Sequence, residues 1–376
     1  MATGFVWHER YMWHNTGRHA GPFGADANGW LEPDVRHREN ADSKRRFRNL
    51  LDVTGLLDQL VAIAPRAATE PELLRFHTQG YIDRIRESSA EWGGEGGDGA
   101  TFFGRGSYEV ACLSAGGVMA AVDAVLDGTV RNAYALVRPP GHHALPDMGM
   151  GFCLFANPAL AAMHARQDRG LERVAIVDWD VHHGNGTQTA FYEDPSVLTI
   201  SVHQDSNFPP GSGPVSDNGA GPGTGANLNV PMPPGSGNGA YAAVFERVVH
   251  PALERFEPEL IIVASGFDAS AMDPLGRMML TSRAYGELTQ GLMTVADRLC
   301  DGRLVVEHEG GYSEELTPFC GLAVVEALSG IETDCKDTIL QLFPESMGYH
   351  ELQAHQDAAI EKAAALLENV PSRVSA

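Results

Sequence analysis

The segment Ile176-Val-Asp-Trp-Asp-Val-His-His-Gly-Asn-Gly186 places two carboxylates and two imidazoles directly behind a short apolar run. Side chains at i and i+2 of an extended segment point the same way. Asp180 and His182 can therefore converge just beyond a strand end. A carboxylate oxygen and a neutral imidazole nitrogen suit a borderline divalent ion such as Zn2+. Asp178 shares their parity one step deeper, where it can orient a neighbouring imidazole. Asp268, in Ser265-Gly-Phe-Asp268, follows a second apolar run and is the natural third ligand. Three protein ligands leave a coordination position open, the arrangement of a catalytic metal site. The competing readings are a solvated polar strand cap and an aspartate that opens a turn.

Two further motifs supply the remaining chemistry. Arg138-Pro-Pro-Gly-His-His143 puts adjacent histidines on a rigid turn. A water activated by a metal needs a base, and an amide leaving group needs an acid. Asp178 and Asn185 are candidate partners for the far nitrogens of His142 and His143. A carboxylate raises its histidine's pKa, whereas a neutral amide leaves its histidine less basic. Such inequality suits a division of acid and base labour. In Glu309-Gly-Gly-Tyr312 a glycine hinge lets a phenol swing toward the metal and donate to a developing oxyanion. A tyrosine packed at a helix start is the alternative. Phe152 and Phe208 lie in loops and can wall a narrow channel for an alkyl chain, or simply pack.

These groups need elements that bring them together. Apolar strands alternate with amphipathic helices, which predicts an α/β fold with a mostly parallel sheet covered on both faces. Strands are expected at 4–7, 60–64, 133–137, 174–177, 197–201, 260–265 and 304–307. Helices are expected at 43–57, 70–76, 107–126, 158–168, 239–255, 282–299, 316–328 and 355–367. Thr69-Glu-Pro-Glu72 reads as an N-cap with first-turn acids. The segments 91–99, 207–225 and 231–239 are rich in Gly and Pro and read as functional loops. In open α/β sheets ligands sit outside the carboxyl ends of the strands. The clusters 138–143, 178–185, 266–268 and 307–312 all follow predicted strands, so they imply one shared site.

With 376 residues and no linker or composition break, a single domain over 1–376 is expected. No run approaches the ~18 apolar residues of a membrane helix, and the first fourteen residues lack a signal-peptide core. Five scattered cysteines without a C-x-x-C pair argue for a reducing compartment, the cytoplasm. The net charge of -22 disfavours nucleic acid and anionic membranes. It is compatible with a cationic substrate, although acidic solubility is the more ordinary explanation.

Taken together, 138–143, 149–157, 177–188, 198–203, 208–213, 265–274 and 309–313 resemble the zinc-dependent histone deacetylase superfamily, in particular its class II branch and the bacterial histone-deacetylase-like amidohydrolases. The resemblance implies an arginase/deacetylase-like domain with a central sheet of about eight strands flanked by helices. It implies hydrolysis of an acylated amine such as acetyl-lysine, with Zn2+ or Fe2+ held by Asp180, His182 and Asp268. His142 is paired with Asp178, His143 with Asn185 (the class II pattern), and Tyr312 is the transition-state donor. Gly151, Phe152 and Phe208 are the channel walls, Leu275 lies near the rim, and Asp98 is the rim aspartate that grips the substrate backbone. A structural K+ would sit at Asp178, Asp180, His182, Ser201 and Val202, and a second cation near Phe191, Asp194 and Val197. The N-terminal Trp13, His14 and Asn15 help cap the entrance, and bacterial relatives are often homo-oligomers. Acetylpolyamines or small amides are the alternative substrates. Leu275 weakens the polyamine case, because polyamine-selective members carry Glu there. A non-catalytic acyl-amine-binding protein and an arginase-like dimanganese hydrolase are the readings from other classes. The second needs additional Asp/His ligands.

Overall fold

Val174-Ala-Ile-Val-Asp178 is buried at every position, and its alternate residues serve two different cores. Ala175 and Val177 pack with Phe47, Trp179 and Tyr285 on one face. Val174 and Ile176 pack with Val118, Ala159 and Ala162 on the other. Continuous apolar runs are what a sheet covered on both faces requires. The computed structural model describes residues 2–19, 35–343 and 347–373, and it shows a single α/β domain.

The sheet has eight strands: β1 (Thr3–Val6), β2 (Val61–Ile63), β3 (Asn132–Ala135), β4 (Val174–Asp178), β5 (Val197–Gln204), β6 (Asn227–Met232), β7 (Leu260–Ser265) and β8 (Leu304–His308). Their order is β6-β5-β4-β7-β8-β3-β1-β2, and every pairing is parallel. The four strands that precede the four polar clusters, β4, β7, β8 and β3, are consecutive neighbours at the centre. Their register aligns Asp178 with Ala264, Glu307 and Ala135 in one row. The clusters therefore emerge at one level along the carboxyl edge.

Helices α1 (Asp42–Val53), α2 (Gln79–Ala90), α3 (Ser107–Leu126), α4 (Asn157–Gln167) and α5 (Asn185–Phe191) lie among the first five strands. Helices α6 (Asn238–Val244), α7 (Ser282–Leu299), α8 (Thr317–Ser329) and α9 (Ala354–Ala364) follow. Two of these, α3 and α7, match the expected spans to the residue. Against expectation, α3 is long and apolar enough to cross a membrane, but most of that stretch is buried inside the protein. It packs on α4 and against β3 and β1. Its Gly117 lets the Tyr11 hydroxyl come to 2.3 Å from where a Cβ would be.

Three expectations needed correction. The predicted continuous helix over 239–255 widens into a π-turn at Phe245–Val249 before resuming at His250–Phe256. Pro251, at the start of the resumed segment, has no N–H to continue the α ladder. Strand β6 is not among the expected strands, and its last two residues fall in the segment 231–239 expected as loop; Asn227, Asn229 and Pro231 disfavour strands. It is the edge strand where proline is tolerated, and both asparagines donate to Gln188 Oε1. Helices α2 and α5 were not anticipated at all.

Candidate active site

At the end of β4 the backbone turns and places Asp180 and His182 side by side, with His182 Nδ1 3.0 Å from Asp180 Oδ1. Asp268, beyond β7, brings Oδ2 to 3.1 Å from the same nitrogen. That oxygen is buried and receives no hydrogen bond. The three ligand atoms lie within 4.8 Å of one another. The other oxygens are fixed by backbone amides: Val181 N donates to Asp268 Oδ1 (2.8 Å) and Gly310 N to Asp180 Oδ2 (2.9 Å). Two glycines make room for this convergence. A Cβ on Gly266 would stand 2.1 Å from Asp180 Oδ2, and one on Gly310 would stand 2.1 Å from Asp268 Oδ2.

The charges of the cradle favour a cation. Burial lowers the His182 pKa, but the nearby carboxylates of Asp180 and Asp268 outweigh it and lift the value to about 10. Burial and the charge of Asp180 push Asp268 up to about 7. A cradle of two carboxylates and one imidazole that recruits a positive charge fits a divalent metal ion. Two other clusters do not fit as well. Glu72, His164 and Asp168 are threaded by arginines, and in the group His142, Cys153 and Glu309 the carboxylate already receives Gly141 N.

The tandem histidines face this cradle. His142 Nδ1 donates to Asp178 Oδ2 (2.9 Å), and its Nε2 lies 3.8 Å from Asp180 Oδ1. His143 Nδ1 donates to Asn185 Oδ1 at 2.7 Å. Their environments drive them apart. Burial works against a charged His142, yet Asp180, Asp178 and Glu309 raise its pKa well above the ordinary value. Burial and the neighbouring charges of His142 and His182 hold His143 well below it. The structure brings His142 to Asp178 and His143 to Asn185, the partners named from the sequence.

A cavity of about 210 Å3 opens onto the cradle, lined by His143, His182, Tyr312, Gly151, Phe152, Phe208, Leu275 and Asp98. Phe208 stands perpendicular to His143 at 5.1 Å between ring centroids, and Phe152 to Tyr312 at 5.8 Å. The Phe208 loop is held because His183 N donates to Phe208 O. Burial, then Asp268 and Asp180, raise the Tyr312 pKa well above 10, so the phenol stays protonated and remains a donor. Asp98 lines the cavity and accepts from Ala100 N, Thr101 N, the Thr101 hydroxyl and Gly151 N. Behind Asp178, a small cavity is lined by Thr187, Thr199 and Ser201, among others. The Thr187 hydroxyl is buried without a partner, and Val202 is buried on the adjoining strand. Asp194, in the region of the second expected cation, is paired with Arg166.

The N-terminal residues are tied to this site from below. Arg138, fully buried, donates to Tyr11 O, His14 O and the Glu39 carboxylate. Glu39 also lies 3.1 Å from Lys44 Nζ, and that ammonium stands 5.5 Å from the centre of the Tyr312 ring. Trp13 is exposed, while His14 is buried against Ser107.

Several contacts that brace the site are not legible in the sequence. Asp273 accepts Tyr312 N (2.7 Å) and Ser313 N (3.3 Å) on one oxygen and Leu275 N (2.8 Å) on the other. Ser43 Oγ donates to Gly311 O. Glu309 bolts the Pro-Pro-Gly turn to the Gly-Gly-Tyr turn through Gly141 N, 2.8 Å away. One signal was available: Lys44 sits on the same helical stripe as the buried Phe47 and Leu51, and a lysine there must be paired.

The chain is similar to known proteins. A family profile described as histone deacetylase domain matches residues 37–328. The chain is 48% identical over 339 residues to a histone deacetylase-like amidohydrolase of Pseudomonas aeruginosa, covering 90% of this chain and 88% of that protein. It is 35% identical over 335 residues to a probable deacetylase of Archaeoglobus fulgidus, covering 88% of each. Among solved structures, the HDA15 HD domain superposes with a TM-score of 0.85 at 32% identity, covering 98% of this chain and 96% of that one.

Proposed function

The chain belongs to the histone deacetylase family and is an amide-bond hydrolase, and from that premise we propose that it is a zinc-dependent deacylase that splits acylated amines, such as acetyl-lysine, into amine and carboxylate. The observation that carries this reading is the pair of unequally tuned histidines facing a two-carboxylate, one-imidazole cradle across a cavity that also receives a protonated phenol. Asp180, His182 and Asp268 would hold the metal. Bound there, Zn2+ would polarise the acyl carbonyl and acidify the attacking water.

The protein's own groups account for the proton movements. His143 is neutral, and its Nδ1–H is committed to Asn185, so Nε2 is the acceptor for the proton of the attacking water. His142, held positive by Asp178, stabilises the negative charge that develops on the substrate. Tyr312 donates its phenolic proton as a hydrogen bond to the oxyanion. His143 then returns the captured proton to the leaving nitrogen, which restores the neutral base. The walls formed by Phe152 and Phe208 suit an unbranched alkyl stem and exclude bulk water from the reacting carbonyl. The small cavity behind Asp178 and Ser201 supports a structural K+ there, and five unpaired thiols support a reducing, cytoplasmic setting.

The test is steady-state hydrolysis by zinc-loaded protein of acetyl-lysine and trifluoroacetyl-lysine peptides, acetylputrescine, acetylspermidine and a small aryl amide. Tyr312→Phe is run alongside. Loss of the phenol hydroxyl is expected to lower kcat about 10²–10³-fold. Near-full activity in that variant would remove Tyr312 from the mechanism, and no turnover on any substrate by metal-loaded protein would overturn the deacylase reading. Preference for the polyamines or the aryl amide would move the substrate to small-molecule amides while keeping the same chemistry.

A further inference from the structure

Glu307 puts a carboxyl group into an apolar layer of the sheet. It stands two residues beyond Val305 on β8 and so faces the same core, which Val305 shares with Ala133, Ala135 and Ile262. Its neighbours across the sheet are Ala264 on β7 and Ala135 on β3, whose side chains carry no donor. Glu307 is fully buried, and neither of its oxygens receives a hydrogen bond. A charge buried without a partner is costly, and a carboxyl so placed keeps its proton. The charged groups around it are acids: Glu309 lies within hydrogen-bonding reach, and Asp178 and Asp180 stand beyond. The Cys153 thiol and the Tyr134 phenol complete its titratable surroundings, and burial keeps both protonated. Glu309 Oε1 is likewise buried without a partner, while its Oε2 accepts Gly141 N at 2.8 Å. Two carboxylates cannot bond to each other, since both only accept. One proton on Glu307 supplies the donor that Glu309 Oε1 lacks and removes the unpaired charge. Burial, and then the charge of Glu309, act in the same direction by raising the Glu307 pKa well above the ordinary carboxyl value.

We propose that Glu307 is a neutral carboxylic acid at neutral pH and that, by donating to Glu309 Oε1, it is a positioning residue for the tandem histidines. Glu309 is the link. Its Oε2 holds Gly141 N, and His142 and His143 follow directly in the chain. Its carboxyl also lies with His142 and the Cys153 thiol in a group whose ligand atoms are within 4.8 Å of one another. A second negative charge at Glu307 would repel Glu309 and draw Gly141, and with it both imidazoles, away from the cradle. The catalytic half of this proposal rests on the deacylase reading above, whereas the protonation of Glu307 does not.

The experiment uses zinc-loaded full-length protein and two variants. Glu307→Gln keeps the shape and an N–H donor toward Glu309, and Glu307→Met keeps the bulk and donates nothing. On an acetyl-lysine peptide, glutamine is expected to hold kcat within about twofold of the parent with the same pH profile, and methionine to lower kcat about tenfold with little change in KM. An equal loss in both variants would mean that Glu307 acts as a carboxylate, and full activity in the methionine variant would remove the positioning role; either overturns the proposal. Infrared difference spectra of parent minus Glu307→Gln are expected to show the C=O stretch of a protonated carboxyl, shifted in D2O, and carboxylate bands in its place would overturn the protonation. Urea unfolding gives a second measure if the methionine variant fails to fold. The unfolded chain releases the Glu307 proton near pH ~4.3 and the folded one keeps it. The parent should therefore lose ground to Glu307→Gln as the pH rises above ~4.3, by about tenfold in the folding equilibrium per pH unit. A difference independent of pH would overturn the protonation. No turnover by the parent would overturn the deacylase reading and the positioning role that rests on it, while the infrared band still decides the protonation.

Discussion

Gly310 shows how finely the cradle depends on single residues. Its missing side chain leaves the space that the carboxylates of Asp268 and Asp180 occupy, since a Cβ there would lie 2.1 and 2.6 Å from their oxygens. Gly310→Ala is therefore expected to abolish stoichiometric metal binding and lower activity by at least about 10²-fold, because displaced ligands no longer match the metal's geometry. Metal content by mass spectrometry, with circular dichroism as the check on folding, decides it. Gly80→Ala, in α2 with nothing within 4 Å of the added carbon, is the control. Asp273 offers a second test. Asparagine would turn an N–H toward one of the backbone amides that its two oxygens now receive, loosening Tyr312, Leu275 or both. Asp273→Asn should lower kcat by up to about 10²-fold with little change in KM. It should add almost nothing in a Tyr312→Phe background, because residues that act through one another are not additive. Full additivity in that double-mutant cycle would refute the positioning role. The site's motifs were legible because parity and local runs declare themselves: Asp178, Asp180 and His182 share one face within five residues. Asp273 and the Glu39–Arg138–Lys44 cluster were not, because the partners that tie them to the site, Tyr312 and Arg138, are distant in sequence and each residue alone is an ordinary charge.

At the scale of elements, the carboxyl edge was legible and the segments that brace it were only partly so. Four polar clusters after four apolar runs implied one site, and the adjacency of β4, β7, β8 and β3 realises it. Helix α2 was missed because its sequence is mostly polar, although Thr78 caps it by accepting Tyr81 N. Just before it, His77 ties down the segment that carries the channel wall. Ala156 N donates to its Nε2 at 3.0 Å, so Nδ1 carries the proton and donates to Leu145 O. Burial holds its pKa down to about 4, against the pull of the Leu145 and Pro146 carbonyls. The unfolded chain takes up a proton below about pH 6.5 and the folded one does not until about pH 4. The stabilisation from His77 is thus full above about pH 6.5 and is lost as the pH falls toward 4, a change of up to about 3 kcal/mol. Asp178 and Asp273, raised by burial to about 6, respond in the opposite direction, so the comparison must be made against a variant. His77→Gln should be less stable than the parent in urea at neutral pH, and the gap should shrink markedly near pH 4.5. A gap independent of pH would show that His77 is not buried neutral.

For the molecule as a whole, the excess of 49 acidic over 27 basic residues surrounds a site whose own chemistry is closely balanced. Within the cradle the carboxylates are matched by His182, by His142 and by the metal they would hold, so the surplus charge acts from outside the channel. Its reach is the Debye length, about 10 Å at 0.1 M salt and about 30 Å at 0.01 M. A field of this kind gathers cations toward the surface and accelerates encounter without altering the chemical step. Acetylputrescine, with one free ammonium, should therefore lose about tenfold in kcat/KM when NaCl is raised from ~20 mM to ~500 mM. The uncharged N-pentylacetamide should barely respond, and kcat at saturation should hold for both. An equal response of the two substrates would place the salt effect on the enzyme's conformation. No response in either would mean that the acidic surface serves solubility alone. The distinction bears on selection among amines, because a channel walled by Phe152 and Phe208 offers a distant ammonium no charge of its own and leaves that preference to the field around its mouth.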